Sequence, residues 1–173
     1  MSIHVICGPM FSGKSTELLR LVKRHQLANK KCLIVKYVND TRYSEEFVVT
    51  HDHQTSEKID TIMVSQLKQV DLNYDVIGID EGQFFKDIDL FAEQILETNI
   101  LLIVATLDGD YNRRPFGNVY KILPLATSCK KLTAICNCGE EAPFTKRIID
   151  NSELELIGGA EIYTPTCNNC YKK

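Results

Sequence analysis

Short apolar runs alternate along the chain with segments in which apolar side chains recur at helical spacing. Four runs have the length and composition of buried strands: "IHVIC" from Ile3, "CLIVKYV" from Cys32, "YDVIGID" from Tyr74 and "ILLIVATL" from Ile100. Between them, residues 14–28 and 86–99 show the amphipathic pattern of helices. Because strands alternate with helices, we predict an α/β fold with a mostly parallel sheet flanked by helices.

The pattern changes in two places. Residues 39–60 are polar and show no period, so we predict a mobile loop there. After about Lys130 the chain turns to short strand-like pieces, glycines and paired cysteines. We therefore predict an α/β domain over residues 1–130 and a small lobe of different build over residues 131–173.

Composition and charge exclude several classes of protein. Hydrophobic residues make up 44% of the chain and charged residues 25%, as in soluble globular proteins. A net charge of −3 argues against a nucleic-acid partner, since such domains usually carry a basic face. No run approaches the ~20 apolar residues of a membrane span, and we expect no signal peptide and no membrane partner. The expected compartment is the cytoplasm, where the seven cysteines are thiols or metal ligands rather than disulfides.

The first candidate for chemistry follows the first predicted strand. The segment "GPMFSGKS" has the pattern of a glycine, four residues and then Gly-Lys-Ser, and it opens the first predicted helix. Glycines let several N–H groups point at one anion, and the N-terminus of a helix adds partial positive charge. We expect Lys14 to contact the β- and γ-phosphates of ATP and Ser15 to hold Mg²⁺. The predicted phosphate loop comprises Gly8, Pro9, Met10, Phe11, Ser12, Gly13, Lys14 and Ser15.

Two acids end the strand "VIGID", where ligands bind in open α/β sheets. Asp80 is the candidate partner of the magnesium ion, and Glu81 is the candidate base or water-positioning group. Together with the phosphate loop, these acids predict phosphoryl transfer from a magnesium nucleotide on a P-loop NTPase-type sheet. The motifs alone leave a hydrolase and a kinase both open.

Four cysteines lie in two close pairs near the end of the chain. Cys167 and Cys170 have the spacing of a zinc knuckle, whereas Cys136 and Cys138 are one residue short of it. The spacing alone is compatible with a metal site, a redox pair or a coincidence.

A series of segments extends these motifs over nearly the whole chain. In order they read "GPMFSGKSTELLR", "KYVNDTRY", "THD", "IGIDEGQFF", "LDGDYNRRPFGN", "LTAICNCGEEAPFTKR" and "ELIGGAEIYTPTC". This series, from Ile3 to Tyr171, resembles the type II thymidine kinases. The resemblance implies a P-loop α/β domain with a small zinc-bearing lobe, and transfer of the ATP γ-phosphoryl group to the 5′-hydroxyl of thymidine. It also implies a homotetramer or dimer and feedback inhibition by dTTP.

The resemblance also assigns roles to single residues. Glu81 matches the proton acceptor for the 5′-hydroxyl, while Asp40, Arg42 and Gln83 join the residues around ATP and magnesium. A loop over Leu154–Tyr163 is expected to cover the thymine base and bind it mainly through backbone groups. The expected substrate-binding residues are Phe84, Leu107, Tyr111, Phe116, Thr145, Arg147, Leu154, Glu155, Leu156, Ile157, Gly158 and Tyr163.

The family pattern has two residues between the first pair of cysteines, and this chain has one. The remaining four thiolates, from Cys136, Cys138, Cys167 and Cys170, still suffice for a tetrahedral structural zinc with sulfurs ~3.8 Å apart. In an extended segment residues i and i+2 face the same side, and Gly139 leaves room for a bend. We predict structural zinc, with metal-free thiols and a disulfide as the alternatives.

Two other functions compete with a nucleoside kinase. One is a P-loop ATPase coupled to a partner protein, and the other is a zinc-ribbon binding module. The aromatic set of Phe84, Tyr111 and Tyr163 argues against the ATPase because it predicts a nucleoside pocket. The acidic balance of the chain argues against the binding module.

Overall fold

Six parallel strands form the central sheet of the computed structural model, which describes residues 2–40, 58–150, 153 and 156–172. They are β1 (Ser2–Cys7), β2 (Cys32–Tyr37), β3 (Asp60–Val64), β4 (Val76–Ile79), β5 (Leu101–Thr106) and β6 (Ser128–Lys131). Their order across the sheet is β3–β2–β4–β5–β1–β6, and every neighbouring pair is parallel. The predicted α/β fold with a mostly parallel sheet is confirmed.

Helices cover both faces of the sheet. Helix α1 (Lys14–Gln26) packs Leu18 and Val22 on one face, while α2 (Ile88–Leu96) and a 3₁₀ helix at Val119–Leu125 pack on the other. Gly78 of β4 permits this packing, because a Cβ there would lie 3.0 Å from a methyl group of Val22. Two further 3₁₀ helices span Leu67–Gln69 and Gly82–Phe84. Across the ranges that the structure describes, no helix is long and apolar enough to cross a membrane.

The two outermost strands were not predicted from the sequence. Strand β3 is at most half-buried along its length, and all four residues of β6 are exposed. An edge strand buries little apolar surface, so it lacks the continuous apolar run by which the inner strands were predicted. The segment predicted as a mobile loop ends where β3 begins, and residues 41–57 lie outside the described residues.

The C-terminal part of the chain adds two small antiparallel sheets. One pairs β7 (Ala134–Ile135) with β8 (Glu141–Ala142), and the other pairs β9 (Phe144–Arg147) with β10 (Tyr163–Thr166). A short helix, α3 (Asn168–Tyr171), follows. Ala134, Cys136, Ala142 and Cys167 form a small core of their own. The domain boundary near residue 130 stays a prediction, although the central sheet continues to Lys131.

The carboxyl ends of β1, β4 and β5 meet at one edge of the sheet. Residues 8–13 follow β1, Asp80 and Glu81 follow β4, and Leu107 follows β5. Because these strands are adjacent and parallel, their following segments come together without any long connection. This edge is where the candidate site lies.

Candidate active site

The loop from Gly8 to Gly13 has an unusual backbone. Gly8, Phe11 and Gly13 have φ angles of +150°, +65° and +80°. A Cβ at Gly8 would lie 2.3 Å from the carbonyl oxygen of Leu132, so no other residue fits there. Turns through left-handed conformations are typical of loops whose N–H groups surround an anion. The loop has the backbone that the phosphate motif predicts.

Lys14 and Ser15 begin α1 directly after this loop. The Lys14 ammonium is buried and donates a hydrogen bond to the Pro9 carbonyl oxygen at 2.7 Å. Ser12 Oγ donates to the same oxygen at 2.8 Å, which closes the loop on itself. The positive end of the helix dipole and the ammonium group therefore lie at the same loop, as phosphate binding requires.

Asp80 lies opposite Ser15, whose hydroxyl donates to Asp80 Oδ1 at 2.8 Å. Burial, together with the neighbouring charge of Glu81, raises the pKa of the Asp80 carboxyl to about 6, against the opposing effect of the Ser15 hydrogen bond. A hydroxyl and a carboxylate side by side are hard oxygen ligands of the kind that Mg²⁺ prefers. The donor set fits the predicted magnesium site.

Burial of Asp80, the candidate magnesium ligand, is predicted to lower the stability of the folded protein at neutral pH. Its carboxyl keeps a proton to higher pH in the folded protein than in the unfolded chain. The free energy of unfolding therefore falls as pH rises from about 4 to about 6, by at most about 3 kcal/mol. We expect nucleotide-free Asp80→Asn to be more stable than the wild type at pH 7.5, and the difference to shrink toward pH 4.5. Urea unfolding at both pH values measures it.

The matched control for this prediction is Asp89→Asn on α2. The hydrogen bond from Lys121, 2.8 Å away, holds the pKa of Asp89 below its usual range. Removing that carboxylate should leave stability unchanged or slightly reduced at pH 7.5. An Asp80→Asn protein no more stable than Asp89→Asn at pH 7.5 would contradict the assigned cost of burial.

Glu81 has a left-handed backbone, with φ 54° and ψ 47°, at the start of the 3₁₀ helix Gly82–Phe84. Such a conformation costs a non-glycine residue roughly 1–3 kcal/mol and is concentrated at functional sites. Gln83 Nε2 donates to Glu81 Oε2 at 2.5 Å. Gln83 Oε1 accepts from Thr106 Oγ1 at 3.1 Å and from Leu107 N at 3.0 Å. Two donors thus fix the Gln83 amide so that its NH₂ group faces the Glu81 carboxylate.

A cavity opens beside these acids, with about 450 Å³ of empty space that is partly open to solvent. Most of its wall is apolar or aromatic, which suits a small flat ligand. It is lined by Met10, Gln83, Phe84, Leu107, Gly109, Asp110, Tyr111, Phe116, Thr145, Leu156, Ile157, Gly158 and Tyr163. Nine of the residues that the sequence assigned to the substrate are in this wall, together with Met10 and Gln83, which it assigned to ATP and magnesium.

Sequence reasoning missed two residues of the wall, Gly109 and Asp110. The buried Asp110 carboxylate accepts the backbone N–H groups of Asn112 and Arg114, both at 2.8 Å. An aspartate that caps its own turn in this way is a recognised signal of a turn, and "LDGDYN" carries it. The sequence could have located the turn, but not its place in the cavity.

Aromatic contacts fix the orientation of the Phe84 ring in the cavity wall. Tyr37 stacks on Phe84 with ring centroids 5.4 Å apart, and Phe116 meets Phe84 edge-on at 6.0 Å. Stacked and edge-on pairs of this kind stabilise a defined ring orientation. Phe84 therefore presents a fixed surface to the cavity.

Arg147 is the one described residue of the predicted substrate set that does not line the cavity. Its guanidinium lies 3.8 Å from the Tyr111 ring centroid and donates to the Tyr163 hydroxyl at 2.8 Å. It also donates to the carbonyl oxygen of Glu153, and the Tyr163 hydroxyl donates to that of Leu156 at 2.8 Å. In the structure Arg147 bonds Glu153 and Tyr163 on either side of the segment that includes the wall residues Leu156–Gly158, so a direct contact with substrate stays a prediction.

The phosphate loop and the cavity are joined through Met10. Its N–H donates to the buried Thr145 Oγ1 at 3.0 Å, and both residues line the cavity. Asp40, also predicted, is buried in the turn after β2. Arg42, Leu154 and Glu155 lie outside the described residues.

The four cysteines of the two pairs converge on one point. The sulfurs of Cys136, Cys138, Cys167 and Cys170 all lie within 4.8 Å of one another, and all four are free thiols. The Cys138 and Cys167 sulfurs are 3.7 Å apart, close to the ~3.8 Å expected around tetrahedral zinc. Gly139 takes a φ of +91°, and its N–H donates to the Cys136 carbonyl oxygen at 2.8 Å. The short Cys-x-Cys spacing thus brings both thiols to the site, and the donor set fits zinc.

Comparison with known proteins adds an independent result. Residues 1–171 match the sequence model of a family described as "Thymidine kinase". The chain is 51% identical over 172 residues to "Thymidine kinase, cytosolic" of Homo sapiens, covering 99% of this chain and 73% of the relative. It is 47% identical over 170 residues to "Thymidine kinase" of Sheeppox virus (strain KS-1), with coverage of 98% and 96%. With "Thymidine kinase" of Yaba monkey tumor virus (strain VR587), identity is 49% over 172 residues, with coverage of 99% and 94%.

Proposed function

Because the chain belongs to the thymidine kinase family, whose members are transferases, we propose that it transfers the γ-phosphoryl group of ATP to the 5′-hydroxyl of thymidine. The products are dTMP and ADP, which makes the reaction a salvage step toward DNA synthesis. One observation carries the proposal: the phosphate loop and an aromatic-walled cavity share Met10, with Glu81 between Asp80 and the cavity residue Gln83. A donor phosphate and an acceptor nucleoside can thereby meet at one carboxylate.

The proposed reaction is an in-line displacement at the γ-phosphorus. The 5′-oxygen forms the new O–P bond, the bond to the bridging oxygen of ADP breaks, and Glu81 accepts the hydroxyl proton. Positioning and charge stabilisation supply most of the rate in such reactions, and proton acceptance adds to them. The Gln83 amide holds the Glu81 carboxylate in place for this role.

Residues of the phosphate loop bind the donor. Lys14 exchanges its bond to the Pro9 carbonyl for one to the β- and γ-phosphate oxygens, and the loop N–H groups surround the same oxygens. Ser15 and Asp80 would hold Mg²⁺, which neutralises phosphate charge when bound. Asp40 and Arg42 are proposed to lie near the transferring group, where a guanidinium spreads the negative charge.

The cavity recognises the nucleoside by shape and backbone groups. Phe84, Tyr111 and Phe116 supply flat surfaces for the base. Leu156, Ile157 and Gly158 line the same cavity. Their backbone N–H and C=O groups are proposed to pair with the base edge. Leu154 and Glu155 are proposed to extend this segment.

Five further properties are proposed from family membership and the site. The cysteine cluster holds structural zinc, the enzyme is a homotetramer or dimer, and dTTP inhibits it. The proposed compartment is the cytoplasm, as the name of the human relative says of that protein. The small lobe over residues 131–173 is proposed to carry both the zinc site and the segment over the cavity.

The test of the proposed function is ATP consumption with and without single nucleosides. We expect turnover only with thymidine or a close pyrimidine analogue, and dTMP formed in equal amount to ADP. A P-loop ATPase coupled to a partner would instead hydrolyse ATP without any nucleoside. Nucleoside-independent turnover, or ADP without dTMP, would refute the proposal.

A further inference from the structure

Tyr171 comes directly after the last thiol of the cysteine cluster. It ends α3, and its N–H donates to the Cys167 carbonyl oxygen at 3.0 Å. The Cys170 N–H donates to Cys167 Sγ at 3.4 Å within the same turn. The turn that places the second pair of thiols therefore also fixes the backbone of Tyr171.

The side chain of Tyr171 reaches a different part of the molecule. Its hydroxyl donates to the carbonyl oxygen of Tyr111 at 2.6 Å, a bond between residues 60 positions apart. The Arg113 guanidinium lies 4.1 Å from the Tyr171 ring centroid, and the Phe144 ring meets the same ring at 6.0 Å. A cation over one ring and an aromatic edge beside it hold the tyrosine in a single orientation.

The turn that carries Tyr111 is closed on itself. Asp110 exchanges backbone and carboxylate hydrogen bonds with Arg114 at 2.8 Å, and its carboxylate also accepts from Asn112. Arg113 is held at a φ of +62° by the same turn. Because these hydrogen bonds make the turn rigid, the bond to the Tyr111 carbonyl oxygen positions the whole turn rather than bending the backbone at Tyr111.

We propose that Tyr171 is a positioning residue for the nucleoside cavity, setting the place of the Tyr111 ring in the wall through its hydroxyl bond. The inference rests on the proposed function. The Tyr111 ring packs against Arg147, which bonds Glu153 and Tyr163 on either side of the segment through Leu156–Gly158. A displaced Tyr111 thus disturbs two walls of the cavity. These hydrogen bonds and ring contacts join residues of the cavity wall and its supports, so we expect the effect on nucleoside affinity.

The test is Tyr171→Phe, which removes the hydroxyl and keeps the ring under Arg113. We expect the KM for thymidine to rise roughly 3- to 10-fold, the range for loss of one hydrogen bond. The kcat and the KM for ATP should stay within about 2-fold of wild type, because ground-state binding of the nucleoside is what weakens. Zinc content should equal that of the wild type.

Tyr74→Phe is a matched control at the opposite end of the sheet. The Tyr74 hydroxyl donates to Asp60 Oδ2 at 3.2 Å, and the Lys31 ammonium lies 4.4 Å from its ring centroid. Like Tyr171→Phe, this variant loses one tyrosine hydroxyl hydrogen bond from a ring that packs against a cationic side chain. The site lies at the amino ends of β3 and β4, away from the cavity. All its kinetic constants should match the wild type.

Each outcome decides between distinct statements. An active Tyr171→Phe enzyme with an unchanged KM for thymidine overturns the positioning role. A lowered kcat with KM values raised equally for thymidine and ATP, together with lost zinc, would also overturn it. Tyr171 would then only hold the lobe together. A wild-type protein that forms no dTMP refutes the proposed function instead.

Discussion

Replacing Glu81 by glutamine is expected to lower kcat about 10²- to 10⁴-fold, the usual contribution of a positioned proton acceptor. Glutamine keeps the size of the side chain and an oxygen that can accept from Gln83, so the cavity wall should survive. The affinity for ATP should be unchanged, because Lys14 and the phosphate loop are untouched. Single-turnover formation of dTMP, with ATP affinity from calorimetry, measures both quantities.

The control for this substitution is Glu93→Gln, an exposed glutamate on α2. It removes the same charge from the chain and should leave turnover at the wild-type level. Near-wild-type turnover in Glu81→Gln would remove this carboxylate as the proton acceptor. The reaction would then depend on the phosphate loop and substrate positioning alone.

Loss of the proposed zinc is expected to have the second large effect. Cys138→Ser removes one of four thiolates, and structural zinc sites contribute ~10–16 kcal/mol of binding free energy to the fold they hold. We expect zinc content near zero and a KM for thymidine raised at least ~10-fold. ATP binding should remain because its residues belong to the edge of the six-stranded sheet. Metal analysis, calorimetry with ATP and steady-state kinetics with thymidine separate these results.

Cys129→Ser is the matched control, because Cys129 is an exposed thiol on β6 outside the cluster. It should keep its zinc and its affinity for thymidine. A wild-type protein purified without denaturant or chelator that contains no zinc, yet phosphorylates thymidine, would show that the four thiols need no metal.

The central sheet could be predicted where strands are buried on both faces. Continuous apolar runs predict strands β1, β2, β4 and β5, and the helical period of its apolar residues predicts α1. The edge strands β3 and β6 carry no such run, because their pairing depends on a neighbour that the local sequence does not show. Local pattern therefore predicts the core and not the rim.

The same division holds at the site. The phosphate loop and the Asp80–Glu81 pair follow from local motifs and from where parallel strands end. The amide that holds Glu81 does not, since Gln83 takes its orientation from Thr106 at the end of β5 and from Leu107 directly after it. The place of Arg147 behind the wall likewise depends on contacts between distant segments.

The Cys-x-Cys pair lies between these cases. Same-face geometry in an extended segment, with a glycine after it, was enough to predict that both thiols reach one point. The hydrogen bond that closes the turn, donated by the Gly139 N–H to the Cys136 carbonyl oxygen, could not be predicted from the spacing. Convergence of all four sulfurs needed the packing of β10 against β9 as well.

The hydrogen bond from Met10 to Thr145 has a consequence for how the two substrates influence each other. It ties the proposed phosphate loop to β9 of the smaller sheets. Any shift of the loop on nucleotide binding changes that bond and hence the free energy of the cavity wall to which Thr145 belongs. Thermodynamic linkage then requires reciprocity: by whatever factor bound ATP alters the dissociation constant of thymidine, bound thymidine alters that of ATP. Titrating each ligand in the presence of a non-reacting analogue of the other would give this coupling free energy directly.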